Sequence, residues 1–150
     1  MDKLTVAEIP EMFEKVAEIF AEKKDELCAM DAAMGDGDLG LTMSKGYGAL
    51  PGFLRETAAE GEIGKQMMKA GMKMQNEVPS TMGTLMSSGI MQAGKAFKGK
   101  TELAAADLAT YVTAFAEGIK KRGKCELGDR TILDSVDAGA KKAAALVESN

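Results

Sequence analysis

The sequence predicts an all-α domain of about six helices, and three observations carry that expectation. Apolar residues recur at helical spacing in one segment after another, no segment sustains the period-two alternation of a strand, and helix-start signals stand ahead of the periodic runs. A chain of 150 residues fits one domain, 1-150, large enough to bury a core. No internal repeat, low-complexity tract or linker divides it.

The first helix opens at a capping box formed by Thr5 and Glu8. It buries Ile9, Met12, Phe13, Val16, Phe20 and Leu27 on one face and ends near Met30. Past a loop, residues 43–50 read as a short helical segment stopped by Pro51 and Gly52. Ile63, Met67, Gly71 and Met74 keep a helical period, and Met67, Met68, Met72 and Met74 read as adaptable core filling. Pro79 biases Val78 away from helix, so Ser80 or Thr81 caps the helix that follows. Thr101 is the expected cap of a fifth helix, lined by Leu108, Val112, Phe115 and Ile119 and stopping before Gly123. Gly128, Asp129, Arg130 and Thr131 open the last one, with Ile132, Val136, Ala140, Ala143 and Val147 on its buried side. The Ala-rich, Gly-punctuated texture of the last three helices predicts close helix packing.

Composition removes several function classes. The net charge of −4 and the lack of a basic stripe interleaved with aromatics argue against a nucleic-acid surface. Lys120, Lys121 and Arg122 form a short cluster suited to a helix C-terminus, where they complement the dipole. No apolar run approaches the ~20 residues that span a bilayer, and the N-terminus is amphipathic rather than signal-like, so a cytoplasmic location is expected. Cys28 and Cys125 are far apart and form no C-x-x-C, which predicts reduced thiols, one packed in a helix and one near a loop. The chain has no histidine, which excludes Ser-His-Asp and Cys-His catalysis, His-ligated zinc and phosphohistidine.

The chemistry concentrates in residues 31–42, D-A-A-M-G-D-G-D-L-G-L-T. Asp31, Asp36 and Asp38 fall within eight residues, with glycines at 35, 37 and 40. Like charges at ~4 Å repel by roughly 1 to 4 kcal/mol per pair, so the cluster either splays into water or collects cations. No Lys or Arg lies between Met30 and Ser44 to neutralise it. Hard divalent ions take oxygen ligands, and glycines let the backbone converge on one point. A plain Asp/Gly surface turn is the alternative, against which the flanking helices and the third Asp weigh. An EF-hand loop fails, because one starting at Asp36 would place Gly40, Leu41 and Tyr47 at its fifth, sixth and twelfth positions. A second stretch, residues 77–89 (E-V-P-S-T-M-G-T-L-M-S-S-G), sets small and hydroxyl residues at a helix start. It is either an anion site built on unpaired N–H groups or only a capped helix.

Together the two loops resemble a known family. M-D-A-A-M-G-D-G-D-L-G-L-T-M is similar to the D-x-x-I-G-D-G-D-H-G-x-N-M signature of the nucleotide-binding subunit or domain of dihydroxyacetone kinases, a domain type also found at the start of bacterial fatty acid kinases. Residues 122–131 match the family's R-G-K-x-x-x-G-D-x-T segment, and V-P-S-T-M-G-T-L stands where it has its Gly/Ser-rich phosphate loop. The resemblance implies an antiparallel barrel of eight helices with ADP or ATP and two Mg²⁺ at one end. It implies Asp31, Asp36 and Asp38 as metal ligands. Leu39, Gly40, Leu41 and Thr42 would then approach the phosphates, and Ser80, Thr81, Met82 and Gly83 would cradle them. Gly123 and Ile132 would fall near the adenine, with Asp129 supporting its loop.

Three departures stand out. Leu39 replaces the motif's histidine, Thr42 stands where Asn is common, and the family's G-R-A-x-Y-x-G-E-R-S and D-P-G-A segment is missing before Asn150. The barrel is therefore expected to be short, completed by another chain, or present here as a fragment. The resemblance implies a kinase component that works with a dihydroxyacetone-binding substrate subunit, whose histidine holds the ketone. A phosphotransferase-system phosphocarrier subunit is a second candidate partner. The alternatives are a non-catalytic nucleotide- and metal-binding regulator, or the nucleotide domain of a fatty-acid-kinase-like protein.

Overall fold

The computed structural model describes residues 3–57 and 61–149. In chain order these form β1 (Lys3–Thr5), one 3₁₀ turn (Val6–Glu8), α1 (Ile9–Glu22), α2 (Lys24–Ala32), α3 (Leu39–Gly48), α4 (Leu50–Thr57), α5 (Ile63–Glu77), α6 (Thr81–Ala96), β2 (Glu102–Ala104), α7 (Asp107–Gly123) and α8 (Ile132–Glu148). The all-α expectation holds, with one small addition. β1 and β2 pair antiparallel, Leu4 opposite Leu103, and so tie the start of the described chain to the α6–α7 connection. Strands of three residues are too short to show as alternation in a sequence.

Six helical segments were expected and eight helices are present among the described residues, because the first expected segment divides and an unexpected helix, α4, follows the second. The first breaks at Lys23, with no Gly or Pro to mark the place, and α2 carries Asp31 inside its last turn rather than delivering it to a loop. The second begins earlier, at Leu39, and Pro51 does not stop the chain. It lies in the first turn of α4, where its missing N–H removes no intrahelical bond. The Thr5–Glu8 capping box forms as read, though it opens the 3₁₀ turn that leads into α1. Thr101 does not cap α7. The ribbon intervenes, and Asp107 holds the helix start instead, its Oδ2 accepting from Ala104 N at 2.8 Å.

Consecutive helices α5, α6, α7 and α8 pack side by side, while α1 lies on α3 and α4, and α4 passes the core on to α5. Phe13, Leu50, Leu54, Ile63, Met67, Met74, Ile90, Phe97 and Ile119 are fully buried at the centre. The small residues of α6 let its neighbours approach closely, as their composition predicted. A Cβ added at Gly64 would stand 2.7 Å from Gly94 O, and one at Gly118 would collide with Ser88 O. Three expected core positions lie outside. Met72 is 50% exposed because it sits about 140° around α5 from Met67, on the opposite side. Val147 is 40% exposed because α8 rests mainly on α7, and one neighbour covers only a narrow strip that buries Leu133 and Ala140. Leu108, in the first turn of α7, is also exposed.

Gln66 is buried in α5, with neither Oε1 nor Nε2 hydrogen-bonded. An unsatisfied buried amide costs about 1–3 kcal/mol. Gln66→Leu is therefore expected to raise the unfolding free energy by about 1–3 kcal/mol, seen as a higher urea midpoint at unchanged slope. Gly64→Ala is expected to lower it by about 1–3 kcal/mol through overpacking against Gly94 O, in the same measurement.

Candidate functional site

The end of α2 and the start of α3 are joined by a turn that Asp31 closes. Its backbone carbonyl accepts from Gly35 N at 2.6 Å and Met34 N at 3.1 Å. Its Oδ2 accepts from Asp38 N at 3.0 Å and Leu39 N at 3.2 Å, which satisfies donors at the start of α3. Gly37 takes a left-handed φ of 78°, the one place in this turn where the backbone requires glycine. The result is that carboxylate oxygens of Asp31, Asp36 and Asp38 all lie within 4.8 Å of one another. Among the described residues no ion pair includes any of the three. The Asp36 carboxylate beside Asp38, with a smaller effect from burial and from Asp31, holds the Asp38 carboxyl above its usual range. An all-oxygen donor set with uncompensated like charge fits a hard divalent cation such as Mg²⁺.

At the start of α6, Ser80 rather than Thr81 is the cap. Its Oγ accepts from Gly83 N at 3.1 Å and its carbonyl from Thr84 N at 2.9 Å. The donors of this helix start that the cap leaves over belong to Thr81 and Met82.

Two adjoining recesses connect these features, sharing Pro79 and Ser80. The smaller, about 280 Å³, is lined by Asp38, Leu41, Thr42, Lys45 and Glu77. The larger, about 1020 Å³, runs from Ser80 and Thr81 to Gly123 and Ile132, with Leu85 and Ile119 as apolar wall. Of the residues singled out in the sequence, the structure thus aligns Asp38, Leu41, Thr42, Ser80, Thr81, Gly123 and Ile132 along one path, with Asp31 and Asp36 beside Asp38. Leu39, Gly40, Met82 and Gly83 line neither recess. Leu39 and Met82 pack on the core, and Gly40 is buried where a Cβ would collide with Lys24 O. Gly83 is buried against Val78, with its N–H committed to Ser80.

The far wall depends on the α7–α8 loop. Asp129 supports it, Oδ2 accepting from Glu126 N at 2.8 Å. Asp134 accepts from Gly128 N at 2.7 Å and Thr131 N at 3.0 Å, and Thr131 Oγ1 accepts from Leu133 N at 3.2 Å. Both Lys124 and Arg130 adopt left-handed φ values, of 51° and 59°.

Sequence reading missed Gln75, Asn76, Thr84, Arg122 and Cys125 in the larger recess and Lys45 in the smaller. Helical spacing offers a signal for two of them, since Thr84 is one turn beyond Ser80 and Lys45 one turn beyond Leu41. Gln75 and Asn76 carry none, because only the packing of α5 against α6 brings them to the cleft. Lys45 is loosely held, its Nζ 3.8 Å from Glu77, whose closer partner is Lys73 at 3.1 Å.

An acidic corner, a capped helix start and an apolar-walled cleft in a row define an all-helical domain suited to a phosphorylated ligand. The chain belongs to the DAK2 domain family, whose model matches residues 33–150. It is 31% identical over 124 residues to the ADP-binding subunit DhaL of PEP-dependent dihydroxyacetone kinase 2 from Listeria innocua, a match covering 82% of this chain and 57% of that subunit. Over 131 residues it is 28% identical to the Escherichia coli DhaL subunit, covering 87% and 62%. Over 119 residues it is 32% identical to bovine triokinase/FMN cyclase, covering 79% and 20%. The chain therefore spans less than two thirds of each of these relatives. Among the described residues no helix is long and apolar enough to cross a membrane.

Hydrogen bonds from Gly128 N, and next from Thr131 N, hold the Asp134 carboxyl below its usual value. A lowered folded value means the stabilisation is fully present above the unfolded pKa of about 3.9 and is lost as pH falls through the folded one. Wild type is thus expected to exceed Asp134→Asn in stability at neutral pH. The gap should narrow as pH drops below about 4, as thermal melts across pH 2–7 will show.

Proposed function

We propose that this chain is the Mg²⁺–nucleotide-binding component of a dihydroxyacetone-type kinase, transferring a phosphoryl group to a small ketone or ketose held by a partner subunit. The observation that carries this reading is the alignment of the Asp31–Asp36–Asp38 corner, the α6 start and the apolar-walled cleft along one path. It is supported by relatives whose names describe ADP-binding kinase subunits.

In this reading Asp36, Asp38 and the Asp31 oxygen not engaged at α3 would hold two Mg²⁺. The metal supplies charge neutralisation on the polyphosphate. Thr42 and Lys45 face the phosphates across the smaller recess, and Thr81 meets them where the larger one begins. The adenine of ADP or ATP lies toward Ile119, Gly123 and Ile132, against Leu85. Leu39, in place of the motif's histidine, contributes packing rather than a hydrogen bond. Phosphoryl transfer asks a protein mainly for positioning and charge neutralisation, both of which these residues supply.

With no histidine in the chain, capture of the ketone falls to a dihydroxyacetone-binding subunit. The Lactococcus lactis relative, 29% identical over 131 residues, is named for a PTS-dependent kinase, which makes a phosphocarrier subunit the candidate source of phosphate. A cytoplasmic location accords with such partners.

Ligand at 100 times its Kd adds about 2.7 kcal/mol to stability. Mg²⁺ with ADP or ATP is accordingly expected to raise Tm, with no rise from either nucleotide in chelator and none in Asp36→Ala. Equal melting curves for wild type and variant with Mg²⁺ and nucleotide would sink the proposal. A Tm rise without phosphoryl transfer in the presence of a dihydroxyacetone-binding subunit would reduce it to a binding module.

A further inference from the structure

A second feature lies on the outer face of α5, α6 and α7. Close packing sinks α6 between its neighbours, since Gly118 leaves no room for a side chain against Ser88 O. The trough so formed holds a recess of about 310 Å³. It is lined by Met68, Met91, Ser88 and Gln92; the Ser88 hydroxyl already donates to Thr84 O at 2.8 Å, and the Gln92 amide stands beside the methionines. Met72, one helical turn beyond Met68 and half exposed, prolongs the apolar strip along α5. Lys95 from α6 and Lys121 and Arg122 from α7 stand around the recess, and among the described residues none of these three is in an ion pair.

We propose that this trough is a docking surface for an acidic amphipathic helical segment of a partner protein. Three cations around a methionine-rich floor that holds one amide, Gln92, on a chain of net charge −4, complement a helix with an apolar stripe and carboxylates beside it. Methionine thioethers conform to varied apolar side chains, which suits a floor that must receive another chain. A bilayer calls for a bulging face with large apolar residues to insert, whereas this surface is recessed. Arg122 also lines the larger recess of the phosphorylated-ligand site, so the trough reaches that cleft at its edge. The proposal does not depend on the nucleotide reading.

The test uses the full chain labelled at its methionine methyl groups, with a synthetic acidic amphipathic helical peptide as probe. A scrambled peptide of identical composition and phosphatidylserine vesicles are the controls. Saturable methyl shifts confined to Met68, Met72 and Met91 are expected, with affinity at least tenfold weaker for the scrambled peptide and for Lys95→Glu/Lys121→Glu. Absent or dispersed shifts would overturn the proposal, as would equal binding of both peptides or an undiminished affinity of the charge-reversed variant. Vesicle binding lost in that variant, without saturable peptide binding, would reassign the surface to a membrane and equally overturn it.

Discussion

The Asp31 carboxylate has two functions that pull against each other, and the candidate site depends on both. One oxygen accepts from the N–H groups of Asp38 and Leu39, which starts α3 and closes the turn. By closing it, Asp31 draws Asp36 and Asp38 to within 4.8 Å of its own charge. The hydrogen bonds favour the folded turn and the repulsion opposes it, so the geometry holds three carboxylates close together. That arrangement is costly alone and becomes favourable once a divalent cation sits among the oxygens. The stability of the turn and the metal binding proposed for it thus rest on the same three side chains.

The second determinant is the thinness of α6. Glycine, serine and alanine along its flanks let α5 and α7 close on it, as the contacts at Gly64, Gly94 and Gly118 show. This packing brings the ends of α5, α6, α7 and α8 together, so that Ser80, Gly123 and Ile132 line one cleft although far apart in sequence. The same closeness recesses the outer face of α6 and leaves the methionine-floored trough. Two surfaces of different character therefore follow from one packing preference.

Much of this was legible in the chain because it depends on short-range chemistry. The capping box at Thr5–Glu8, the cap at Ser80 or Thr81, the opening of the last helix at Thr131 and the three-aspartate turn each involve residues within a few positions of one another, and each is present, with Ser80 as the cap. What escaped had no local signature. Nothing around Lys23 marks the end of α1, and Pro51 reads equally as a stop or as a first-turn residue. Thr101 was a sound cap by type, but pairing of β1 with β2 took its place.

By itself, then, the amino-acid order determined the helical class, the acidic turn, the capped helix that follows Pro79 and, through its motifs, the family. Only the tertiary structure decided which of those residues meet. Gly40, Met82 and Gly83 belong to the right segments, yet they turn toward Lys24, the core and Val78. Gln75, Arg122 and Cys125, none of them read from the sequence as site residues, complete the wall of the cleft. The reason is physical: hydrogen bonds between near neighbours are written in the local order of residues. The face a side chain presents depends on how closely two helices can approach, and that is settled by atoms dozens of residues away.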